Sequence, residues 1–147
     1  MSIVIDINAL ASVFNSDCDK HFNFKPVKSW LDSGRGIVLY GGTKYKDELK
    51  LAFRYLKLMR LMKDAGKARA LDDAEVDAYE KNVITMVNNK ACDDPHIIAI
   101  LAVSRCNLLC SSDARSYVYI KNKKLYPKGM KEVKIYGSIK NKSLLKY

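Results

Sequence analysis

The stretch Ser2-Ile3-Val4-Ile5-Asp6 decides how the rest of the chain is read. An uninterrupted run of β-branched residues describes a strand covered on both faces, as in a parallel sheet. The run stops at an acid, and Ala9, Leu10, Val13 and Phe14 then recur at helical spacing. The same alternation continues downstream. Pro26 can open a helix that carries Val27, Trp30 and Leu31 and ends near Ser33-Gly34. Gly36 to Tyr40 is a second apolar strand, closed by Gly41-Gly42. Thr43 is a candidate cap for one long helix with Leu49, Ala52, Phe53, Leu56 and Met59 on one face and Gly66 as its stop.

Asp72-Asp73 can cap a further helix with Val76, Tyr79, Val83 and Val87 on one stripe. Asp94-Pro95 announces the next, with Ile97, Ile98, Leu101 and Ala102 on its apolar face. Asn107 breaks it, and Leu108 to Cys110 is the third strand. A short helix around Ala114 to Tyr117 follows. Lys124 to Tyr126 and Glu132 to Tyr136 are candidate final strands, separated by the turn Pro127-Lys128-Gly129. Strands that alternate with amphipathic helices predict a three-layer α/β/α sandwich with a mostly parallel central sheet. The length of 147 residues fits a single domain over 1–147, with 138–147 expected as a flexible basic tail.

Four acids border this apolar framework: Asp6, Glu48, Asp94 and Asp113. A carboxylate is costly near an apolar core unless it is paired or binds a cation. In open α/β sheets, sites form outside the carboxyl ends of the strands, and Asp6 and Asp113 fall at or just past such ends. Glu48 is preferred to Asp47, because Asp47 shares a face with Lys50 and Arg54 and reads as a solvated ion-pairing position. Asp94 is preferred to Asp93, because Ile97, Ile98 and Leu101 lie three, four and seven residues beyond it. Taken singly, Asp6, Asp94 and Asp113 each have a capping explanation, and Asn8 offers an alternative cap that would release Asp6. Gathered at one end of a sheet, the four would repel unless a divalent cation neutralised them. Such a set suits Mg²⁺ or Mn²⁺ and phosphate chemistry.

The order Ile3-Val4-Ile5-Asp6-Ile7-Asn8, then Gly41-Gly42-Thr43 leading to Glu48-Leu49, then Asp93-Asp94-Pro95-His96-Ile97-Ile98-Ala99, then Leu108 to Asp113, resembles a PIN-domain protein over most of the chain. Lys134 to Gly137 and Leu144-Leu145 resemble the ending of some members, while Ser111-Ser112 stands where Thr-Asn is frequent. The resemblance implies a Mg²⁺- or Mn²⁺-dependent endoribonuclease in which Asp6, Glu48, Asp94 and Asp113 are both catalytic and metal-binding. It makes Asn8 and Ser111 their polar neighbours. It further implies an RNA substrate, an antitoxin partner where the protein is a toxin, and homodimerisation. A non-catalytic PIN-like binding module and a structure-specific DNA nuclease are the alternatives.

The net charge of +10 is unevenly spread. Residues 1–114 hold 16 Lys/Arg against 15 Asp/Glu, whereas residues 115–147 hold 10 against Glu132 alone. That excess points to a polyanion, with Arg115, Lys121, Lys123 and Lys124 as candidate nucleic-acid contacts. Tyr117, Tyr119, Tyr126 and Tyr136 among these cations suit base stacking or, equally, packing on the sheet. The stripe Leu56, Met59, Leu61 and Met62 with Val76 and Tyr79 reads as core, part of it available to a second copy or an antitoxin. Cys18, Cys92, Cys106 and Cys110 lack zinc spacing and read as core thiols of a reduced compartment. His96, in the first turn of a helix, reads as a surface or cap neighbour rather than a general base. No apolar run approaches the ~20 residues of a membrane span, and the N-terminus lacks a basic leader, so the cytoplasm is expected.

Overall fold

The computed structural model describes residues 1–87 and 92–146, so Tyr147 of the expected tail lies outside the described residues. Strand β1 (Ser2–Ile5) has Ile3, Val4 and Ile5 wholly buried, as a strand flanked on both sides and both faces must be. It pairs in parallel with β2 (Ile37–Tyr40) through Ile3 and Val38, and with β4 (Leu108–Cys110) through Ile5 and Cys110. β3 (Ala68–Ala70) extends the sheet beyond β2, and β5 (Lys134–Tyr136) extends it beyond β4. The order is β3-β2-β1-β4-β5, all parallel and flanked by helices: a three-layer α/β/α sandwich, as expected. The direction of winding reverses between β1 and β4, which opens a crevice at their carboxyl ends.

The helices are α1 (Leu10–Phe14), α2 (His21–Asp32), α3 (Thr43–Leu51), α4 (Phe53–Asp64), α5 (Asp73–Val87), α6 (Pro95–Ser104) and α7 (Tyr117–Ile120). Several differ from expectation for identifiable reasons. Helix α2 begins at His21, before Pro26, which sits inside it. The single long helix from Thr43 is two, broken at Ala52 (φ −99°, ψ 62°). On a continuous helix Met62 would lie about 140° round from Leu49 at ~100° per residue, so one straight rod could not bury both. The break lets Tyr45 and Leu49 of α3 and Met59 and Met62 of α4 all reach the core, and it leaves Phe53 exposed. Of the stripe read as core, Met59, Met62 and Val76 are buried, but Leu61 is exposed.

Thr43 is the first helical residue and not the cap. Gly42 precedes it at φ +87°, and α5 caps α3 from outside: Asp73 accepts from the Gly42 N–H at 3.0 Å and Asp77 from the Thr43 N–H at 2.8 Å. Strand β3 has no signal in the sequence, because Ala-Arg-Ala has little β-propensity; pairing with β2 makes it a strand. Of Lys124 to Tyr126, expected as a strand, Lys124 and Leu125 lie in a 3-10 turn (Lys123–Leu125), where the Asn122 side chain accepts from the Lys124 N–H at 3.1 Å, and Tyr126 follows it extended. Residues 138–146 are docked and not a loose tail. Leu145 is buried, and the Trp30 indole N–H donates to the Lys146 carbonyl at 2.7 Å.

Gly42 is where backbone conformation and packing coincide, since a Cβ there would lie 2.6 Å from Val76 Cγ1. Gly42→Ala should cost roughly 2–4 kcal/mol in urea unfolding, from the left-handed conformation and the overpacking together. Gly66→Ala, at φ +76° with open space around it, should cost only about 1 kcal/mol.

Candidate functional site

The crevice between β1 and β4 begins at Asp6. Its N–H donates to the Cys110 carbonyl at 3.0 Å, which extends the ladder by one residue and draws the side chain into the fold at 5 % exposure. Ser111, wholly buried, holds this end together. Its N–H donates to the Tyr136 carbonyl at 3.1 Å, and its hydroxyl donates to Asp6 Oδ2 at 3.3 Å and accepts from the Asp113 N–H at 3.2 Å. The Tyr117 hydroxyl donates to the Ser111 carbonyl at 2.6 Å. Gly137 leaves room for it, because a Cβ there would stand 2.8 Å from that hydroxyl.

Helix α3 is tied to the same end by Tyr45, whose buried hydroxyl donates to the Ile5 carbonyl at 2.7 Å. Glu48 follows one turn later and is half-buried. Asp47 is exposed beside Lys50 at 3.8 Å, as its spacing predicts. Asp94 opens α6 half-buried, while Asp93 is exposed. The Asp94 side chain makes no capping hydrogen bond, so the simplest alternative for this acid is absent. Asp6 and Asp113 do cap: Asp6 accepts from the Asn8 N–H at 3.4 Å, and Asp113 from the Arg115 N–H at 3.3 Å. Asn8 does not relieve Asp6 as cap; it meets Asp6 through its backbone and is itself exposed.

The charges of these acids act on one another. Burial first, and then the charge of Asp94, push the Asp6 carboxyl up to about 6, with a smaller push from Glu48. Asp94 is raised by burial, then by Asp113 and Asp93. Glu48 is raised by burial, opposed by Lys44 and reinforced by Asp94. Carboxylate oxygens are the donors a hard divalent cation takes. As the side chains stand, however, no group of three or more His, Cys, Asp or Glu among the described residues is gathered closely enough to hold a metal ion. The four acids have the donor chemistry for a hard cation but are not gathered into a metal-holding group.

Two further residues belong to this end of the sheet. His96 is no surface neighbour: it is 1 % exposed, because α6 is buried on every side from His96 to Ala102. That uninterrupted apolar run was the available signal. Burial, and secondarily the charge of Lys44, push its imidazole down to about 4, so it is neutral at ordinary pH. Lys44, exposed, lines a cleft of about 420 Å³ with Thr43, Glu48, Leu51, Asp77 and Glu80. Its position four residues before Glu48 was legible. Arg115 lies beside Asp113, its Nε 3.5 Å from Oδ1, and Lys121, Lys123 and Lys124 are exposed beyond α7. Comparison of the chain with models of protein families, with curated proteins and with solved structures finds no match.

The folded Asp6 carboxyl, at about 6, exceeds its ordinary value of 3.8. The folded state therefore retains a proton that the unfolded chain releases, and stability falls as pH rises through that window. Without metal, Asp6→Asn should flatten this fall and stabilise the protein above about pH 7 by up to about 3 kcal/mol in urea unfolding. An unchanged pH slope would contradict the assignment.

Proposed function

We propose that the chain is a divalent-cation-dependent nuclease that hydrolyses phosphodiester bonds of RNA, of the PIN type its sequence resembles. One observation carries the reading: Asp6, a buried carboxylate at the point where the sheet reverses its winding, is disfavoured in its charged form by burial and by Asp94. Asp6, Glu48, Asp94 and Asp113 would hold Mg²⁺ or Mn²⁺, whose charge offsets that penalty. When bound, the cation supplies Lewis acidity to a phosphodiester and to attacking water.

The chain's own residues orient and contact. Ser111 keeps the Asp6 carboxylate aimed and ties Asp113 to it. Lys44 and Arg115 would meet phosphate oxygens at the rim, and Lys121, Lys123 and Lys124 would extend that contact along the backbone of a single strand. Leu51, Phe53 and Leu61, exposed along α3 and α4, would be covered by a second copy or by an antitoxin. The caps made by Asp6 and Asp113 favour a second reading, a non-catalytic module that binds nucleic acid through the same cations.

End-labelled RNA and DNA of one sequence, incubated with Mn²⁺ or with chelator, separate these readings. RNA should be cut only with metal, and Asp6→Asn and Asp94→Asn, both folded, should each lower the rate at least ~100-fold, the scale of a single electrostatic group. Full cleavage by both variants would remove the assignment; preferential cutting of DNA would change the substrate. Replacing Lys121, Lys123 and Lys124 with alanine should raise KM and reduce the salt slope of binding by roughly 0.7 per lost phosphate contact.

A further inference from the structure

His96 has no part in the chemistry above, yet its burial is hard to account for. A polar group buried without a partner loses its hydration and gains nothing in return. The side chain is 1 % exposed, and neither ring nitrogen has a hydrogen-bond partner. Leucine or isoleucine, like its neighbours Ile97 and Ile98, would fill such a position without that cost. The acid it faces is Glu48, whose Oε2 lies 3.6 Å from Nε2, just beyond hydrogen-bond length.

Direct metal ligation is a poor explanation, because both ring nitrogens are buried from solvent. The imidazole can act only through the carboxylate in front of it. Glu48 is the more exposed member of the pair, with its side chain 37 % exposed against 2 % for His96. A neutral imidazole carries one N–H, which supplies the donor.

We propose that His96 is a positioning residue for Glu48: its Nε2–H donates to one carboxylate oxygen and leaves the other turned toward Asp6 and Asp94 for a divalent cation. Ligating carboxylates are commonly held in this way by a hydrogen bond from behind. The inference rests on the metal site proposed above. It also explains why an imidazole is kept where an apolar side chain would stabilise the metal-free fold.

The test is Mn²⁺ binding to the full chain by calorimetry, with thermal unfolding in chelator alongside, for wild type, His96→Leu and His96→Gln. Loss of the donor in His96→Leu should weaken Mn²⁺ binding ~10-fold or more, and His96→Gln, which keeps an N–H, should recover to within about threefold of wild type. In chelator, His96→Leu should unfold at the same or a higher temperature. Equal Mn²⁺ affinity in wild type and His96→Leu overturns the proposal, as does equal weakening in both variants. Should His96→Leu fail to fold, His96→Met replaces it, and equal affinity of the Met and Gln variants is then the overturning result. If wild type itself binds no Mn²⁺, the metal site falls and this inference falls with it.

Discussion

A carboxylate buried at the end of the central strand is the constraint on which the rest of the structure depends. Asp6 cannot leave the crevice, because its backbone continues the ladder to β4 through the Cys110 carbonyl. Nor is it fully compensated there. A hydroxyl and an amide donate to it, but burial and the charge of Asp94 outweigh them and leave its proton bound until about pH 6. Burial beside like charges disfavours a free anion, and a cation beside it would offset that.

The surrounding structure holds this end of the sheet still. Ser111 bridges the Asp6 carboxylate and the Asp113 backbone, Tyr117 bonds the Ser111 carbonyl, and Gly137 yields the space that Tyr117 needs. Helix α3 is fastened twice, by Tyr45 to the last carbonyl of β1 and by Asp73 and Asp77 of α5 to its first amides. Glu48 is thus positioned by residues from two other parts of the chain. Apart from the exposed bond between Thr43 and Asp77, these are buried or partly buried polar bonds whose loss would strand a donor or an acceptor, which is why they specify geometry as well as stability.

The choice within each acidic pair was legible, because it rests on helical periodicity: Asp47 and Asp93 are exposed, while Glu48 and Asp94 are half-buried. Whether those acids serve as caps was not legible. Asp94, with Pro95 behind it, carries the stronger capping signal, yet Asp113 caps and Asp94 does not. Capping depends on side-chain rotation and on competing neighbours, and neither is written in spacing. His96 shows the complementary failure. A histidine in a first turn is read as exposed by residue type, whereas burial of the whole of α6 overrides type.

Residue pattern by itself determined that this chain is an α/β sandwich with a parallel sheet, that β1 is interior, and that acids stand at strand and helix ends. These follow from local periodicity, because an apolar face must be covered whatever covers it. Only the tertiary structure decided that Ala68–Ala70 is a strand, that α3 and α4 part at Ala52, and that Asp73 caps a helix other than its own. Only it set Glu48 before a sealed imidazole. Each of these depends on partners distant in the chain, and pairing, packing and desolvation between distant residues outweigh the preferences of any short segment.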